Sequence, residues 1–234
     1  MTIEQDQLKR AAAITAVAEV KSGMKLGLGT GTTTAFALDE IARRIRDEHL
    51  DVAGIPTSSR TEARARQLGI PVITFAETDT LDIVIDGADE LLPGSLTLIK
   101  GLGGALLRER IVAAAGRRFI VIIDDSKVAA RFASHVPIPV EVVTFGHEAT
   151  AHRLTNLGLR PVLRVDRSGA PVVTDGGNLL YDLHDVEGGT DPAALAAKLR
   201  QTVGVIDSGI FLHMATEAIV AYSLTDIRRL RPDR

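Results

Sequence analysis

The sequence predicts an α/β fold, an open and mostly parallel sheet flanked by helices, followed by a second, smaller α+β unit. Three observations carry this. Strand and helix signals alternate through roughly the first 130 residues, and parallel pairing needs a covering helix in each crossover. The runs DIVID (82–86) and FIVIID (119–124) are apolar without polar alternation, as strands buried on both faces require. After about Arg131 the order changes to strand, helix, strands, helix.

The elements follow in chain order. Gln7 to Val20 is Ala-rich, with Leu8, Ala12, Ile14 and Val17 as its apolar members and Lys21 and Gly23 as end signals. Lys25 to Gly29 reads as a short strand and Thr30 to Thr34 as a polar turn. Ala35, Leu38, Ile41, Ala42 and Ile45 then recur at helical spacing. Val52 to Ile55 is a strand. Thr57, Ser58 and Ser59 offer caps to a helix that carries Ala63 and Leu68 and stops at Gly69. Pro71 to Phe75, Leu81 to Ile85 and Leu96 to Ile99 read as further strands. A glycine loop and a helix from Leu106 to Ala115 precede the strand Phe119 to Ile123. This makes a Rossmann-like first part, whose ligands bind beyond the carboxyl ends of the strands.

In the later part, Pro137 and Pro139 punctuate an extended stretch, and a helix spans Glu148 to Leu157. Two strands flank a Ser168-Gly169 turn, and Leu179 to Leu183 is a third. Asp191-Pro192 starts a helix that runs to Thr202, with Pro at the favoured first position. The order is that of a ferredoxin-like α+β unit. Ile210 to Leu212 and Glu217 to Tyr222 return as edge strands of the first unit, and DIRRLRPDR reads as a solvated tail. The division expected is 1–131 with 207–234 as one domain and 132–206 as the other.

Composition narrows the function. The chain has 234 residues, 45% of them hydrophobic and 24% charged, the make-up of a globular protein rather than a disordered or fibrous one. It has no cysteine, so disulfides, thiolate metal sites and cysteine nucleophiles are all excluded. A net charge of −3, with 3% aromatics and no Trp, argues against nucleic-acid binding. No apolar run reaches the roughly 20 residues of a membrane span, and the N-terminus is polar and mixed in charge, unlike a secretory signal. A cytoplasmic protein is expected.

Four polar segments follow strands. In Gly27 to Thr34 the glycines miss the Gly-x-Gly-x-x-Gly spacing of a dinucleotide loop, and no Gly-Lys pair supplies a Walker loop. What remains is a glycine turn with hydroxyls at a helix N-terminus, which suits one phosphate. Pro56 to Thr61 reads as a capping cluster. In Asp82 to Glu90, Asp86, Asp89 and Glu90 lie around Gly87 just past a buried strand, where clustered carboxylates raise each other's pKa and carry protons or hold a metal. In Lys100 to Arg110, glycines free the backbone for close approach and Glu109 lies in the helix beneath; alone, it reads as an ordinary exposed helix glutamate. Arg108 and Arg110 are not its ion-pair partners, since adjacent helical residues point apart. His147 and His152 stand five apart, where a zinc helix needs four.

The segments GLGTGTTTAFAL (27–38), PTSSRTEA (56–63), DIVIDGADE (82–90), IKGLGGALLRERIV (99–112) and IDDSKV (123–128), in this order, closely resemble the signatures of type A ribose-5-phosphate isomerases. PIPVEVV (137–143) and VVTDGGN (172–178) extend the resemblance more weakly to the smaller unit. The resemblance implies a cofactor-independent aldose–ketose isomerase that interconverts ribose 5-phosphate and ribulose 5-phosphate in the pentose phosphate pathway. It also implies no metal and a homodimer. It puts the general base on Glu109 and the phosphate-binding lysine on Lys127. Substrate contacts fall on Thr30, Gly31, Thr32 and Thr33, on Asp86, Gly87, Ala88 and Asp89, and on Lys100, Gly101, Leu102 and Gly103. Leu102 stands in a loop the family fills mostly with glycine, and a leucine disfavours positive φ; Arg110 replaces a usual Lys and Thr32 a usual Ser.

The chemistry suits these residues. Moving a proton between C1 and C2 needs a carboxylate base and stabilisation of an enediolate oxygen. Glu109 is the candidate base. Lys100 and the loop amides are candidate oxyanion donors, and Asp86 or Asp89 would assist ring opening. Two rival readings are a catalytically silent sugar-phosphate sensor, which a turnover assay separates, and an acyl or CoA-type transferase on a related fold, which acyl-carrier dependence separates.

Overall fold

A computed structural model describes residues 3–233 of the chain. The first half runs α1 (Ile3–Val17), β1 (Lys25–Leu28), α2 (Thr32–Glu48), β2 (Ala53–Pro56), α3 (Ser59–Gln67), β3 (Ile83–Asp86), β4 (Glu90–Leu92), β5 (Thr97–Ile99), α4 (Leu106–Ala115) and β6 (Phe119–Asp124). A 3-10 turn covers Asp125–Lys127. The second half runs β7 (Ile138–Val142), α5 (His147–Thr155), β8 (Arg160–Leu163), β9 (Leu179–His184), α6 (Pro192–Gln201), β10 (Val205–Ser208), β11 (Ile210–Phe211), β12 (Glu217–Ala221) and β13 (Ile227–Leu230).

A six-stranded sheet in the order β13-β12-β6-β3-β1-β2 forms the centre. It is parallel except for β13, which pairs antiparallel with β12. Successive side chains of a strand face opposite ways, and here both faces are covered. Ile83, Ile85, Ile120 and Ile122 pack with α1 and α2 residues such as Ala12, Ala16, Leu38 and Ile41. Val84, Val121 and Ile123 pack on the other side with Val112 of α4 and with Leu98 and Phe211. That double burial explains the unbroken apolar runs. Along α1, Leu8, Ala12 and Val17 are buried, but Ile14 falls on the opposite face and is 44% exposed.

The four-stranded sheet has the order β10-β7-β9-β8, all antiparallel, and its chain order β-α-β-β-α-β is the ferredoxin-like arrangement expected. Its core joins Val140, Leu183, Leu154 and Leu199.

Several elements differ from the sequence reading. Pro71 to Phe75 is not a strand; a single bridge joins Val72 to Gly54, and Pro71 has no N–H to give a ladder. Leu96 to Ile99 leaves the main sheet: β5 joins β4 and β11 in a three-stranded antiparallel sheet. The Ser168-Gly169 turn forms, with Gly169 at φ 85, but its flanks hold only bridges, and β8 pairs with β9 instead. Glu217 to Tyr222 is not an edge, because β12 lies between β6 and β13. The tail expected in solvent supplies that edge strand. β13 exposes Arg228 and Arg229 and half-buries Ile227 and Leu230, so its composition hides it.

Candidate active site

The carboxyl ends of β1, β3, β5 and β6 converge on one cleft. After β1 the chain turns through Gly29, Thr30 and Gly31 into α2. A Cβ on Gly29 would run into the Asp86 carboxylate, and Gly31 takes φ 125 at the helix N-cap, a value glycine tolerates. This close approach lets the Thr30 amide donate to Asp86 Oδ1 at 3.0 Å. The Thr30 hydroxyl is engaged by other hydroxyls. It sits among Thr57 Oγ1 (2.7 Å), Ser58 Oγ (2.8 Å) and Thr61 Oγ1 (3.1 Å). Segment 56–61 therefore caps α3, with Ser58 accepting from the Thr61 amide at 3.1 Å, and also buttresses the first loop. The first turn of α2 presents Thr32 and Thr33 to the cleft, with the positive end of the helix dipole behind them.

Beneath the cleft lies a buried charge cluster. Lys100 Nζ is 3.0 Å from Asp86 Oδ2 and 3.4 Å from Glu109 Oε1, and it donates to Gly87 O at 2.5 Å. All three side chains are at most 5% exposed. Asp86 Oδ1 also accepts from the Gly87 amide at 2.8 Å. Its Oδ2 meets Lys100 as an ion pair without an aligned hydrogen bond, and Glu109 Oε2 has no hydrogen-bond partner at all. Two carboxylates share one ammonium in a buried site. Burial, with Asp86 and Asp89 adding to it against the pull of Lys100, pushes the Glu109 carboxyl up to about 8. Burial also raises Asp86 against the same lysine. For Lys100 burial works the other way, but Asp86 and Glu109 outweigh it and hold the ammonium above its usual range.

α4 delivers Glu109. Arg108 leaves its neighbour for Asp175, 3.1 Å away, and Arg110 pairs with Asp207 and donates to Ser208 O at 2.6 Å and Ile210 O at 2.9 Å. The Arg110 contacts fix the helix with Glu109 inward, 4% exposed, while the Arg108–Asp175 pair lies at the surface. The reading of Glu109 as a surface glutamate is thereby corrected: α4 packs against β7 and β10 of the other sheet. In the glycine loop the left-handed positions are Gly101 (φ 102) and Gly104 (φ 84), not Leu102. Leu102 is therefore unstrained, its side chain partly exposed and its amide donating to Asp89 Oδ2 at 2.9 Å.

The cleft holds about 300 Å³. Of the residues singled out from sequence, Thr30, Gly31, Thr32, Thr33, Gly87, Ala88, Asp89, Lys100, Gly101, Gly103, Glu109 and Lys127 line it. Asp86 lies under its floor and Leu102 at its rim. Lys127 arrives on the 3-10 turn after β6, where Asp124 caps the turn by accepting from the Ser126 amide at 3.1 Å. Sequence reasoning missed Gln5, Lys9, Asp124 and Ser126 in the lining. One signal was present: Lys9 interrupts the buried Leu8–Ala12–Ala13 face of α1 and is itself 6% exposed, unusual for a lysine without a polar destination.

A family model described as ribose 5-phosphate isomerase A (phosphoriboisomerase A) matches residues 53–224. The chain belongs to that family. A ribose-5-phosphate isomerase A from Synechococcus sp. (strain JA-3-3Ab) is 49% identical over 216 residues, which cover 92% of this chain and 94% of that protein. A probable ribose-5-phosphate isomerase 3, chloroplastic, from Arabidopsis thaliana is 45% identical over 94% of this chain and 82% of its own length. Among solved structures, ribose 5-phosphate isomerase A from Methanocaldococcus jannaschii superposes with a TM-score of 0.90 at 37% identity, covering 96% of this chain and 98% of its own. A D-ribose-5-phosphate isomerase in complex with phospho-erythronic acid gives 0.93 at 31% identity, covering 98% and 100%. No helix among the described residues is long and apolar enough to cross a membrane.

Proposed function

We propose that the cleft interconverts D-ribose 5-phosphate and D-ribulose 5-phosphate through an enediolate, as a cofactor-independent aldose–ketose isomerase. The observation that carries this is Glu109: a buried carboxyl at a sugar-sized cleft, with one oxygen unpartnered and the other next to an ammonium, where burial pushes its pKa up to about 8. A base of that strength suits a carbon acid far better than a free glutamate. Ionised Glu109 takes the proton from C2 of the open-chain aldose. The electron pair moves into the C1–C2 bond and onto the C1 oxygen, where Lys100 and the loop amides stabilise the charge. The same carboxyl returns the proton to C1, and the hydroxyl proton passes from O2 to O1.

Asp89 faces the cleft whereas Asp86 is anchored below it by Lys100 and the Thr30 amide, so ring opening is assigned to Asp89 and the fixing of Lys100 to Asp86. The 5-phosphate sits at the N-terminus of α2, on Gly31, Thr32 and Thr33, neutralised by Lys127. In this reading the catalytic domain is 1–131 with the chain's return and the smaller one begins at 132; the expected boundary at 206/207 moves to Ser208, because β10 (Val205–Ser208) pairs with β7 in the smaller unit's sheet. A homodimer is the expected assembly, which light scattering reads directly, and the bacterial relatives favour the cytoplasm. The deciding experiment is a coupled assay of ribose 5-phosphate conversion with wild type and Glu109→Gln side by side. Wild-type protein that binds phosphorylated pentoses without turnover would overturn the reading in favour of a sensor.

A further inference from the structure

One charged side chain of the smaller unit, Arg164, bonds the backbone of the glycine loop. Arg164 follows β8 and is held by Asp182 of β9, with Nε 2.9 Å from Oδ2 and Nη2 paired to Oδ1. The two side chains are 14% and 16% exposed. So anchored, Nη1 donates to two successive carbonyls of the glycine loop, Gly101 O and Leu102 O, each at 3.0 Å.

A trans peptide is planar, so its N–H points opposite to its C=O. The carbonyl of Gly101 turned to Arg164 sends the Leu102 N–H the other way, and there it meets Asp89 Oδ2 at 2.9 Å. The carbonyl of Leu102 turned to Arg164 sends the Gly103 N–H away in the same fashion, and Gly103 lines the cleft. We propose that Arg164 is a positioning residue for the isomerisation: it locks these two peptide planes and so aims the Gly103 amide at the forming enediolate oxygen. This rests on the isomerase reading above. The lock is needed because Gly101 and Gly104, at φ 102 and φ 84, leave the loop backbone permissive. A cation on a carbonyl also polarises the amide it is bonded to, as in any hydrogen-bond chain. Lysine is no substitute, since it cannot hold the carboxylate of Asp182 and both carbonyls in one planar fork.

A merely structural arginine predicts something else. The two units have a second tie near the loop: Asp175 Oδ2 accepts from the Ser59 amide at 2.7 Å and pairs with Arg108 at 3.1 Å. Asp175→Asn loosens that tie without releasing a glycine-loop peptide. The experiment measures kcat, KM and melting temperature for wild type, Arg164→Met, Arg164→Lys and Asp175→Asn, with inhibition by phospho-erythronic acid and by inorganic phosphate. Loss of an oxyanion donor costs about 10²–10³ in kcat, so misaiming one is expected to cost roughly ten- to a hundredfold.

The expected result is that loss for Arg164→Met, with KM nearly unchanged and Arg164→Lys recovering part of it. Inhibition by phospho-erythronic acid, whose carboxylate on this proposal takes the same amide, weakens, while phosphate inhibition does not change. Asp175→Asn loses melting temperature but keeps kcat. Should Arg164→Met fail to fold, Arg164→Lys decides on the same readouts. Wild-type kcat in the Arg164 variants, or equal kcat losses in Arg164→Met and Asp175→Asn, overturns the proposal. Absence of turnover in the wild type would instead sink the isomerase reading.

Discussion

Glu109 and Glu217 are both buried carboxylates, 4% and 3% exposed, and they serve opposite ends of one sheet. Glu217 opens β12, where the parallel strands begin. Its two oxygens accept from Arg118 and Arg229, and Glu19 pairs with the same two arginines at 3.1 and 2.7 Å. Two carboxylates there meet two guanidinium groups. At the other end, where the strands finish, Asp86 and Glu109 share the single ammonium of Lys100, and Glu109 Oε2 is left with nothing. An excess of carboxylate over cation in a buried site holds a proton that a balanced network has no reason to hold. Burial alone does not mark a reactive group; the charge balance and the unpartnered oxygen do.

Exchanging each glutamate for glutamine tests this most strongly. Glu109→Gln keeps size but cannot take a proton from carbon, and turnover is expected to fall by roughly 10²–10⁴-fold while phosphorylated ligands still bind. Kinetics and calorimetry on the same preparation check both halves. Glu217→Gln is expected to leave turnover within a few-fold. It should lower stability by about 1–3 kcal/mol, the worth of hydrogen bonds to a charged group, and nearer the low end because both arginines are about 36–39% exposed. Denaturant midpoints read that. A Glu217 variant that folds normally but does not turn over would break the contrast.

The pH dependence of stability sharpens it. With Glu109 at about 8 against an ordinary 4.5, the folded protein binds more protons than the unfolded chain between those values. Stability therefore falls as pH rises through that window, and all of the loss is in place above about 8. Glu109→Gln removes this slope. Chemical denaturation at pH 5 and pH 8.5 is expected to show the variant gaining on wild type at the higher pH; parallel changes would place the titrating group elsewhere.

What the sequence made legible follows from what each signal depends on. DIVID and FIVIID declare strands buried on both faces because that burial is local to the run. The loops after them are found by the rule that ligands sit beyond the carboxyl ends. Glu109 is different. Its carboxylate is buried against Lys100, beside Asp86, side chains brought to it from the ends of β5 and β3, contacts that no helical periodicity records, and only the resemblance picked it out. β13 escaped for a related reason, since a short edge strand with two exposed arginines reads as a polar tail. Asp86 was placed at the site, but its position under the floor depends on Gly29, where the missing Cβ makes room for the carboxylate.

The two ends also differ in how much a single cation at the cleft matters. Lys127 stands on the turn after β6 at the same cleft as Thr32 and Thr33, outside the buried cluster. Lys127→Ala is expected to weaken binding of phosphorylated sugars by roughly tenfold, the worth of one charge-assisted contact, and to leave unphosphorylated ribose almost unaffected. Titration of both sugars against the variant checks this; equal losses would show that Lys127 acts on the fold rather than on the phosphate.

The smallest expected effect is that of removing metal ions, and it tests what fills the acidic end of the site. Asp86, Asp89 and Glu109 bring three carboxylates to one site, the ligand type a divalent cation takes, but among the described residues no three acidic or histidine side chains are arranged to hold one. The place between them already holds a positive charge. Lys100 Nζ lies 3.0 Å from Asp86, 3.4 Å from Glu109 and 2.5 Å from the Gly87 carbonyl, and Asp86 and Glu109 hold its ammonium charged. A divalent ion entering there must displace an ammonium that is itself buried and part it from both of its carboxylate partners. On the proposed mechanism, Lys100 is the electrophile that a metal would otherwise provide. Dialysis against EDTA is expected to leave kcat and KM unchanged, and added magnesium or manganese is expected to do nothing. A large loss restored by either ion would show that the carboxylates, not the lysine, carry the charge stabilisation at C1, and the contrast between a balanced and an unbalanced cluster would then need a metal in its count.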